Sequence, residues 1–292
     1  MRPGISSFAF GWAIGSPSTP APQAFGVDAL LDFAIQYGIR VIQIGDNLPL
    51  HVLTGGELDG LALRARAHGI EIEVGARGLS HDHLHHHIDI ARRLHANLLR
   101  FVIDARNHEP APDEAVRLMR GALPALRAAG VILGIENHDR FPSAVLRRMV
   151  DTVASEHVGI CLDTVNSLGA GEGIGEVLGQ LAPVCVNLHV KDFSIERLSH
   201  QMGFTVSGRP LGKGMLPIDI VLAAVTKQGR CNTAIVETWT PPEQEMSATI
   251  AKEARWAVES VMELRAALER NHEASPDPTA SHRDQFPTSI RH

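Results

Sequence analysis

Short apolar runs alternate along the chain with longer stretches of helical periodicity. The runs fall at residues 5–11 (ISSFAFG), 40–45 (RVIQIG), 70–75 (IEIEVG), 98–103 (LLRFVI), 131–136 (VILGIE), 158–163 (VGICLD), 184–190 (VCVNLHV) and 234–237 (AIVE). Their length and β-branched content read as strands buried in a sheet. Between them, residues 26–37, 57–68, 82–95, 113–128, 143–154, 174–181, 217–228 and 245–270 carry apolar side chains at helical spacing. Each strand therefore has its helix, which predicts repeated βα units and a parallel sheet.

Gly38, Gly69 and Gly130 each close a helical stretch just before a strand, where a helix C-cap needs positive φ. Pro124 inside the fourth helical stretch predicts a kink. The glycine-rich GAGEGIGEVLGQ predicts a loose first turn in the sixth helix. An open doubly wound sheet would alternate in the same way, but no GxGxxG follows the first strand. The expected fold is α/β, a single (β/α)8 TIM barrel spanning residues 1–270. Residues 271–292 mix Pro, Ser, Thr, Asp and His without apolar periodicity and are expected to be a mobile tail.

Composition narrows the partners. The chain has 292 residues, 44% of them hydrophobic and 21% charged, an ordinary globular balance. A net charge of −6 offers no bulk attraction to phosphate backbones, so nucleic acid is not an expected partner. With no signal-peptide pattern and no apolar run of membrane-spanning length, the chain reads as cytoplasmic, without a membrane partner. A homo-oligomer is compatible with all of this. Cys161, Cys185 and Cys231 lie in or beside apolar runs, lack CxxC spacing and read as buried structural thiols.

In a parallel barrel, side chains at the carboxyl ends of the strands converge on one rim. Four consecutive strands supply a candidate ligand there: Glu136 (GIENHD), Asp163 (CLDTVN), His189 (NLHVKD) and Glu237 (IVETW). Any one of them could cap a helix or pair with a basic side chain. Three carboxylates brought together would repel one another unless a cation or a cationic side chain sat between them. One divalent metal ion resolves the conflict, and a mostly oxygen donor set favours Mn2+, with Mg2+ or Co2+ as alternatives.

The spacing from His189 to Glu237 is much wider than the earlier two, so the seventh unit carries an insertion, at about residues 192–215. It begins on the rim side and could act as a lid. Lys191, Arg197, His200, Arg209 and Lys213 make this region cationic, which suits either a solvated loop or capture of a substrate carboxylate or phosphate. The expected partner is a small, anionic, sugar-derived molecule. Asn137, His138 and Asn166 beside the ligands are candidate substrate-binding groups. Asp46, Asn47, Arg77 and Asp104 are weaker rim candidates, since helix capping explains many such residues. The tract SHDHLHHH places His81/His85 and His83/His87 four apart, but no HExxH glutamate accompanies it. It reads as a solvated helix face with at most one histidine reaching the rim.

The segments IENHDRF, CLDTVNS, NLHVKDF and IVETW resemble the xylose-isomerase-like barrel superfamily, the sugar phosphate isomerase/epimerase group, over most of residues 1–265. The resemblance implies that Glu136, Asp163, His189 and Glu237 are the metal ligands and that Glu136 and Glu237 form the catalytic proton-transferring pair. Epimerases of this group favour a histidine three residues after the aspartate, where this chain has Asn166. The phrases LGIENHDRF, GICLDTVNS, VNLHVKDF, HQMGF and ETWTPPE are similar to a subgroup that includes 3-oxo-isoapionate decarboxylases. That similarity implies a carbon–carbon lyase that takes a keto sugar acid through an enediolate to L-erythrulose and CO2. A sugar or sugar-phosphate isomerase/epimerase shares the intermediate. A non-catalytic sugar-binding regulator is the rival of another class, though it would not need both glutamates.

Overall fold

Alternation within each strand sorts its side chains between two environments. The computed structural model describes residues 1–16, 18–21 and 25–274. Strands β1 (Arg2–Ser6), β4 (Val41–Ile44), β5 (Glu71–Arg77), β6 (Leu98–Val102), β7 (Ile132–Glu136), β8 (Val158–Asp163), β9 (Cys185–Val190) and β12 (Thr233–Val236) close into one parallel barrel in the order β1-β12-β9-β8-β7-β6-β5-β4. The main helices are α2 (Val27–Gln36), α3 (Gly55–Ala67), α4 (His81–Arg93), α5 (Pro112–Ala129), α6 (Ser143–Val153), α7 (Ile174–Leu181), α8 (Ile218–Thr226) and α9 (Met246–Ala274). Buried Ile42, Ile44, Leu99, Phe101, Leu133, Leu188 and Val190 belong to the apolar core built by strands and helices. None of the helices among the described residues is long and apolar enough to cross a membrane.

The expected elements are present with shifted ends. The first strand stops at Ser6, where the Ser6 hydroxyl accepts from the Phe8 N–H and starts a 3-10 turn over Ser7–Phe10, followed by α1 (Gly11–Ile14). Two short strands, β2 (Gly15–Ser16) and β3 (Thr19–Pro20), follow it as a small hairpin. Gly38, Gly69 and Gly130 all have positive φ. The expected kink in α5 does not break the helix: Pro124 is exposed, so the carbonyl freed by its missing N–H faces water. The loose start of the sixth helix is a 3-10 turn over Asn166–Ala170, ahead of α7. Helix α9 continues through Ala274, beyond the expected end at residue 270. The remainder of the expected tail, 275–292, lies outside the described residues.

The lumen is polar. Gln43 on β4 donates to Asn187 on β9 (3.1 Å), and Thr233 on β12 to Glu73 on β5 (2.6 Å), both across the barrel between strands that are not neighbours. Glu73 also accepts from Gln43 (3.0 Å) and Asn187 (3.1 Å). These four residues form a closed hydrogen-bonded layer near the amino ends of the strands, so no buried member is left unpaired.

A bulge in β9 sets what lies above. Ile160 pairs with Cys185 but Cys161 pairs with Asn187, so one residue of β9 is skipped. The skip puts Asp163 opposite His189, with both facing the lumen. Gly159 makes room for it, because a Cβ there would lie 2.8 Å from the Val184 carbonyl oxygen and collide with Val186.

The segment after β9 folds into the antiparallel hairpin β10 (Asp192–Arg197) and β11 (Phe204–Arg209). Asp192 anchors the loop that follows: its carboxylate accepts from the backbone N–H groups of Phe193 (2.7 Å), Gly212, Gly214 and Leu216 (2.9 Å each). Gly208 lies flat against Trp239, whose indole would overlap any side chain there.

Burial pushes the Glu73 carboxyl up to about 7 against the opposing hydrogen bonds from Thr233, Gln43 and Asn187. Between its ordinary value of 4.5 and about 7, the folded protein retains a proton that the unfolded chain releases. Stability therefore falls as pH rises through that window and stays lowered above it. In Glu73→Gln the amide can donate to Thr233 and accept from Gln43 and Asn187. Urea denaturation near pH 5 and near pH 8 should show the wild type losing a few kcal/mol more than the variant over that interval. Equal losses would refute this account of Glu73.

Candidate metal centre

Alternate lumen positions above the polar layer carry charged and imidazole side chains. Glu136 ends β7, Asp163 ends β8, His189 lies near the end of β9, and Glu237 follows the last residue of β12. All four are buried. The structure brings them together around one ring nitrogen: His189 Nδ1 lies 3.3 Å from Glu237 Oε1, 3.8 Å from Glu136 Oε1 and 3.9 Å from Asp163 Oδ2.

These distances are too long, or the angles too poor, for hydrogen bonds. Asp163 Oδ2, both His189 ring nitrogens and Glu237 Oε1 are buried without a hydrogen-bond partner. Such groups are costly to leave unmet unless something else engages them. Asp163, His189 and Glu237 offer ligand atoms all within 4.8 Å of one another, and Glu136, Cys161 and His189 form a second such set. The donors are mostly carboxylate oxygen with one imidazole, so the cluster fits a hard divalent cation.

Two cations already serve the cluster. Arg100, in the middle of β6, directs Nε onto Glu136 Oε2 and NH1 onto Asp46 Oδ1 (2.9 Å), with the Phe8 ring alongside. Burial alone would lower the Arg100 pKa, but Glu136, Asp46 and Glu237 together raise it, so the guanidinium stays charged. Asn166 donates to the other oxygen of Glu136, Oε1, at 2.7 Å. Lys191 Nζ lies 2.8 Å from Asp163 Oδ2 and 2.9 Å from Glu237 Oε2. For Glu237, burial raises the pKa, but His189, Lys191 and Arg100 outweigh it and hold the carboxyl well below the usual range.

The remaining sequence candidates divide clearly. Asn166 and Lys191 are part of the cluster. Asn137 is buried and fully engaged: it accepts from the Asp163 N–H (2.6 Å) and donates to the Asp163 carbonyl and Ser167 Oγ (2.9 Å each), joining β7 to β8 rather than facing substrate. His138 pairs with its neighbour Asp139. Arg209 pairs with Glu196 across the hairpin, and Arg197 bonds the Gln201 carbonyl (3.0 Å) and stacks on Phe204. Lys213 is exposed, on the loop that Asp192 anchors. Arg197 and Arg209 therefore find partners within the insertion instead of reaching into the cluster.

Among the weaker candidates, Asp46 bridges Arg77 and Arg100, Asn47 bonds Ser7, and Asp104 pairs with Arg140. The histidine tract forms much of α4, and its inner face is packed rather than solvated. His87 is buried, bonds the His83 carbonyl and, with His83, abuts Phe101. Burial lowers the His87 pKa to about 4, so it is neutral at physiological pH. The three cysteines are buried and free, though Cys161 also faces the cluster and donates to Asn187 Oδ1 (3.1 Å).

Sequence reading missed Arg100, Gln43 and Glu73. Each interrupts an apolar strand at a position in phase with the lumen-facing side chains, and that period-two polarity was the available signal.

Comparison with known proteins adds three findings. Residues 31–260 match the family model described as xylose isomerase-like TIM barrel. A 3-oxo-isoapionate decarboxylase of Pectobacterium atrosepticum is 34% identical over 261 residues, covering 89% of this chain and 94% of that protein. Among solved structures, a D-psicose 3-epimerase determined in the presence of D-fructose superimposes with a TM-score of 0.68 at 16% identity, covering 92% of this chain and 99% of the other. A xylose isomerase-like TIM barrel protein from Mycobacterium smegmatis in complex with magnesium gives 0.66 at 14% identity, covering 91% and 97%.

Removing Arg100 would leave the buried Glu136 carboxylate held by Asn166 alone. Arg100→Met should lower the unfolding free energy by about 3–5 kcal/mol, the usual cost of breaking a buried pair from one side. Adding Glu136→Gln to that variant should recover part of the loss, because the stranded charge is gone. Urea titrations of the two variants and the wild type measure both effects, and a double variant no more stable than Arg100→Met would count against the pairing.

Proposed function

The chain belongs to the xylose isomerase-like TIM barrel family, and from that premise we propose that it is a divalent-metal-dependent decarboxylase of a keto sugar acid. The specific reaction is conversion of 3-oxo-isoapionate to L-erythrulose and CO2, the substrate that the decarboxylase relative's name supplies. Glu136, Asp163, His189 and Glu237 would hold the metal, with Mn2+ the first choice and Mg2+ or Co2+ alternatives. When bound, such an ion supplies Lewis-acid stabilisation of negative charge developing on a substrate oxygen.

The observation that carries the choice of reaction is the unequal treatment of the two glutamates. Glu136 accepts from Arg100 on one oxygen and from Asn166 on the other, so both of its oxygens are held in place. Glu237 keeps Oε1 free of hydrogen bonds and faces the same space. An epimerase needs a proton removed on one face and returned on the other, which calls for two mobile carboxyl groups. Decarboxylation needs one proton delivered to one carbon.

In the proposed step, the bond from the α-carbon to the carboxylate breaks and its electron pair enters an enediolate as CO2 leaves. The enediolate carbon then takes up a proton, giving a neutral ketose. Glu237, ionised at rest, accepts a hydrogen bond from a water or a substrate hydroxyl and guides that proton to the carbon. Asn166 contributes by keeping Glu136 in place, where a histidine would add a second titrating group. The 34% identity to a decarboxylase supports the reading over the isomerase and epimerase activities found on the same fold.

Purified protein with Mn2+ should release CO2 from 3-oxo-isoapionate with stoichiometric erythrulose. Glu237→Gln should lower kcat by about 10²–10⁴-fold, the range for loss of a proton-transfer group. Glu136→Gln should mainly weaken metal binding. Ketose interconversion without gas release across a panel of 3-keto sugar acids would assign the chain to the isomerases instead.

A further inference from the structure

Asp163 has one oxygen to offer a metal. Its Oδ1 accepts the backbone N–H groups of Val165 and Asn166, both at 2.8 Å. Its Oδ2 faces His189, and the Lys191 ammonium lies 2.8 Å from that same atom. The ammonium is also 2.9 Å from Glu237 Oε2 and 3.4 Å from Asn166 Oδ1. The backbone beneath it is clamped, because the Lys191 N–H donates to Thr164 Oγ1 and Thr164 Oγ1 donates back to the Lys191 carbonyl, both at 2.9 Å. The root of the Lys191 side chain is therefore fixed at the rim.

A divalent cation held by Asp163 and Glu237 draws on carboxylates that already neutralise Lys191. Two positive centres would then share the same negative charge within a few ångströms in a buried site, where their repulsion is poorly screened. An anionic group placed beside the ammonium relieves that repulsion. Other cations near the mouth have partners outside the ligand set, Arg77 with Asp46, Arg140 with Asp104 and Arg209 with Glu196, while buried Arg100 is shared between Asp46 and Glu136. Among the described residues, Lys191 is the cation that pairs with two members of the candidate ligand set, and it is the more exposed of the two that touch the set, 15% against 3% for Arg100.

We propose that Lys191 couples metal binding to the charge of the substrate. It weakens the grip of the site on a bare divalent cation, and the site regains that grip when a sugar acid brings its carboxylate to the ammonium. Metal and acid then bind cooperatively, while a neutral sugar gains nothing from the lysine. This rests on the metal-dependent reading above and adds the substrate class to it: the site selects acids over neutral ketoses through Lys191, not through the hairpin arginines.

Calorimetric titration of Mn2+ into the full-length protein tests this without turnover, alone and with saturating L-threonate or erythritol, after correction for Mn2+ complexed in solution. Threonate should tighten Mn2+ binding to the wild type by about tenfold and erythritol should not. Lys191→Met and Lys191→Gln should each bind Mn2+ alone about tenfold more tightly than the wild type. In both variants the threonate effect should shrink to that of erythritol. Two variants are used so that one suffices if the other does not fold. Variants that bind Mn2+ no more tightly than the wild type, or that keep the full threonate effect, overturn the proposal. CO2 release with coupling unchanged in the variants defeats this inference alone, whereas a wild type that binds no Mn2+ defeats it together with the metal-dependent reading.

Discussion

Everything at the mouth of this barrel answers to the mutual repulsion of three buried carboxylates. Glu136, Asp163 and Glu237 are each within 4 Å of His189 Nδ1 and removed from water. No protein interior tolerates that arrangement without compensating positive charge. Arg100 and Lys191 supply two charges from opposite sides, and neither is redundant: Arg100 engages Glu136, and Lys191 engages Asp163 and Glu237. With three anions against two cations, the balance remains short of neutral until a further positive charge is added. The same arithmetic supports the proposed metal and, through Lys191, the proposed limit on how strongly it is held.

Holding those groups in place requires rigidity below and above them. Beneath lies the Gln43, Glu73, Asn187 and Thr233 layer, whose bonds cross the lumen and tie non-adjacent strands together. Asn187 also receives the Cys161 thiol, linking that layer to the cluster. Above, Asn137 joins the ends of β7 and β8 through both the N–H and the carbonyl of Asp163, so a ligand's own backbone is fixed by its neighbour. The insertion that follows β9 is anchored at its root by Asp192, three residues after His189. A lid that moved would hinge about this carboxylate, leaving the ligand strand undisturbed.

Much of this was readable before any coordinates. Strand and helix alternation is a strong signal because each unit repeats it, and Glu136, Asp163, His189 and Glu237 stood out as polar residues at the ends of apolar strands. Strand ends were less legible: the first strand stops early because Ser6 starts a 3-10 turn, a choice made by one hydroxyl. Asn137 looked like a substrate group because its type and position suited one, yet its partners come from β8, which no local pattern reveals. The hairpin arginines misled in the same way, since their charge was visible and their cross-strand partner Glu196 and aromatic Phe204 were not. Arg100 was overlooked because a lone basic residue in LLRFVI seems a flaw in the strand rather than a member of the site.

That residue also explains how a shared scaffold can support different chemistry. A ligand set that closes round a metal needs its carboxylates ionised, whereas proton transfer needs at least one that can change state. The proposed reading divides the labour: Arg100 and Asn166 occupy both oxygens of Glu136, whereas Glu237 has Lys191 on Oε2 and no hydrogen bond on Oε1, which is left to guide a proton. Replacing Asn166 by a histidine would loosen the division, because an imidazole can release a proton towards Glu136 and an amide cannot. On the proposed mechanism, residue 166 decides whether the barrel presents one proton-transferring carboxylate or two. On the same reading, Lys191 favours an acid over a neutral sugar beside them. Both positions touch the ligands, Asn166 through Glu136 and Lys191 through Asp163 and Glu237, so on this reading reaction type, substrate charge and metal affinity are adjusted together.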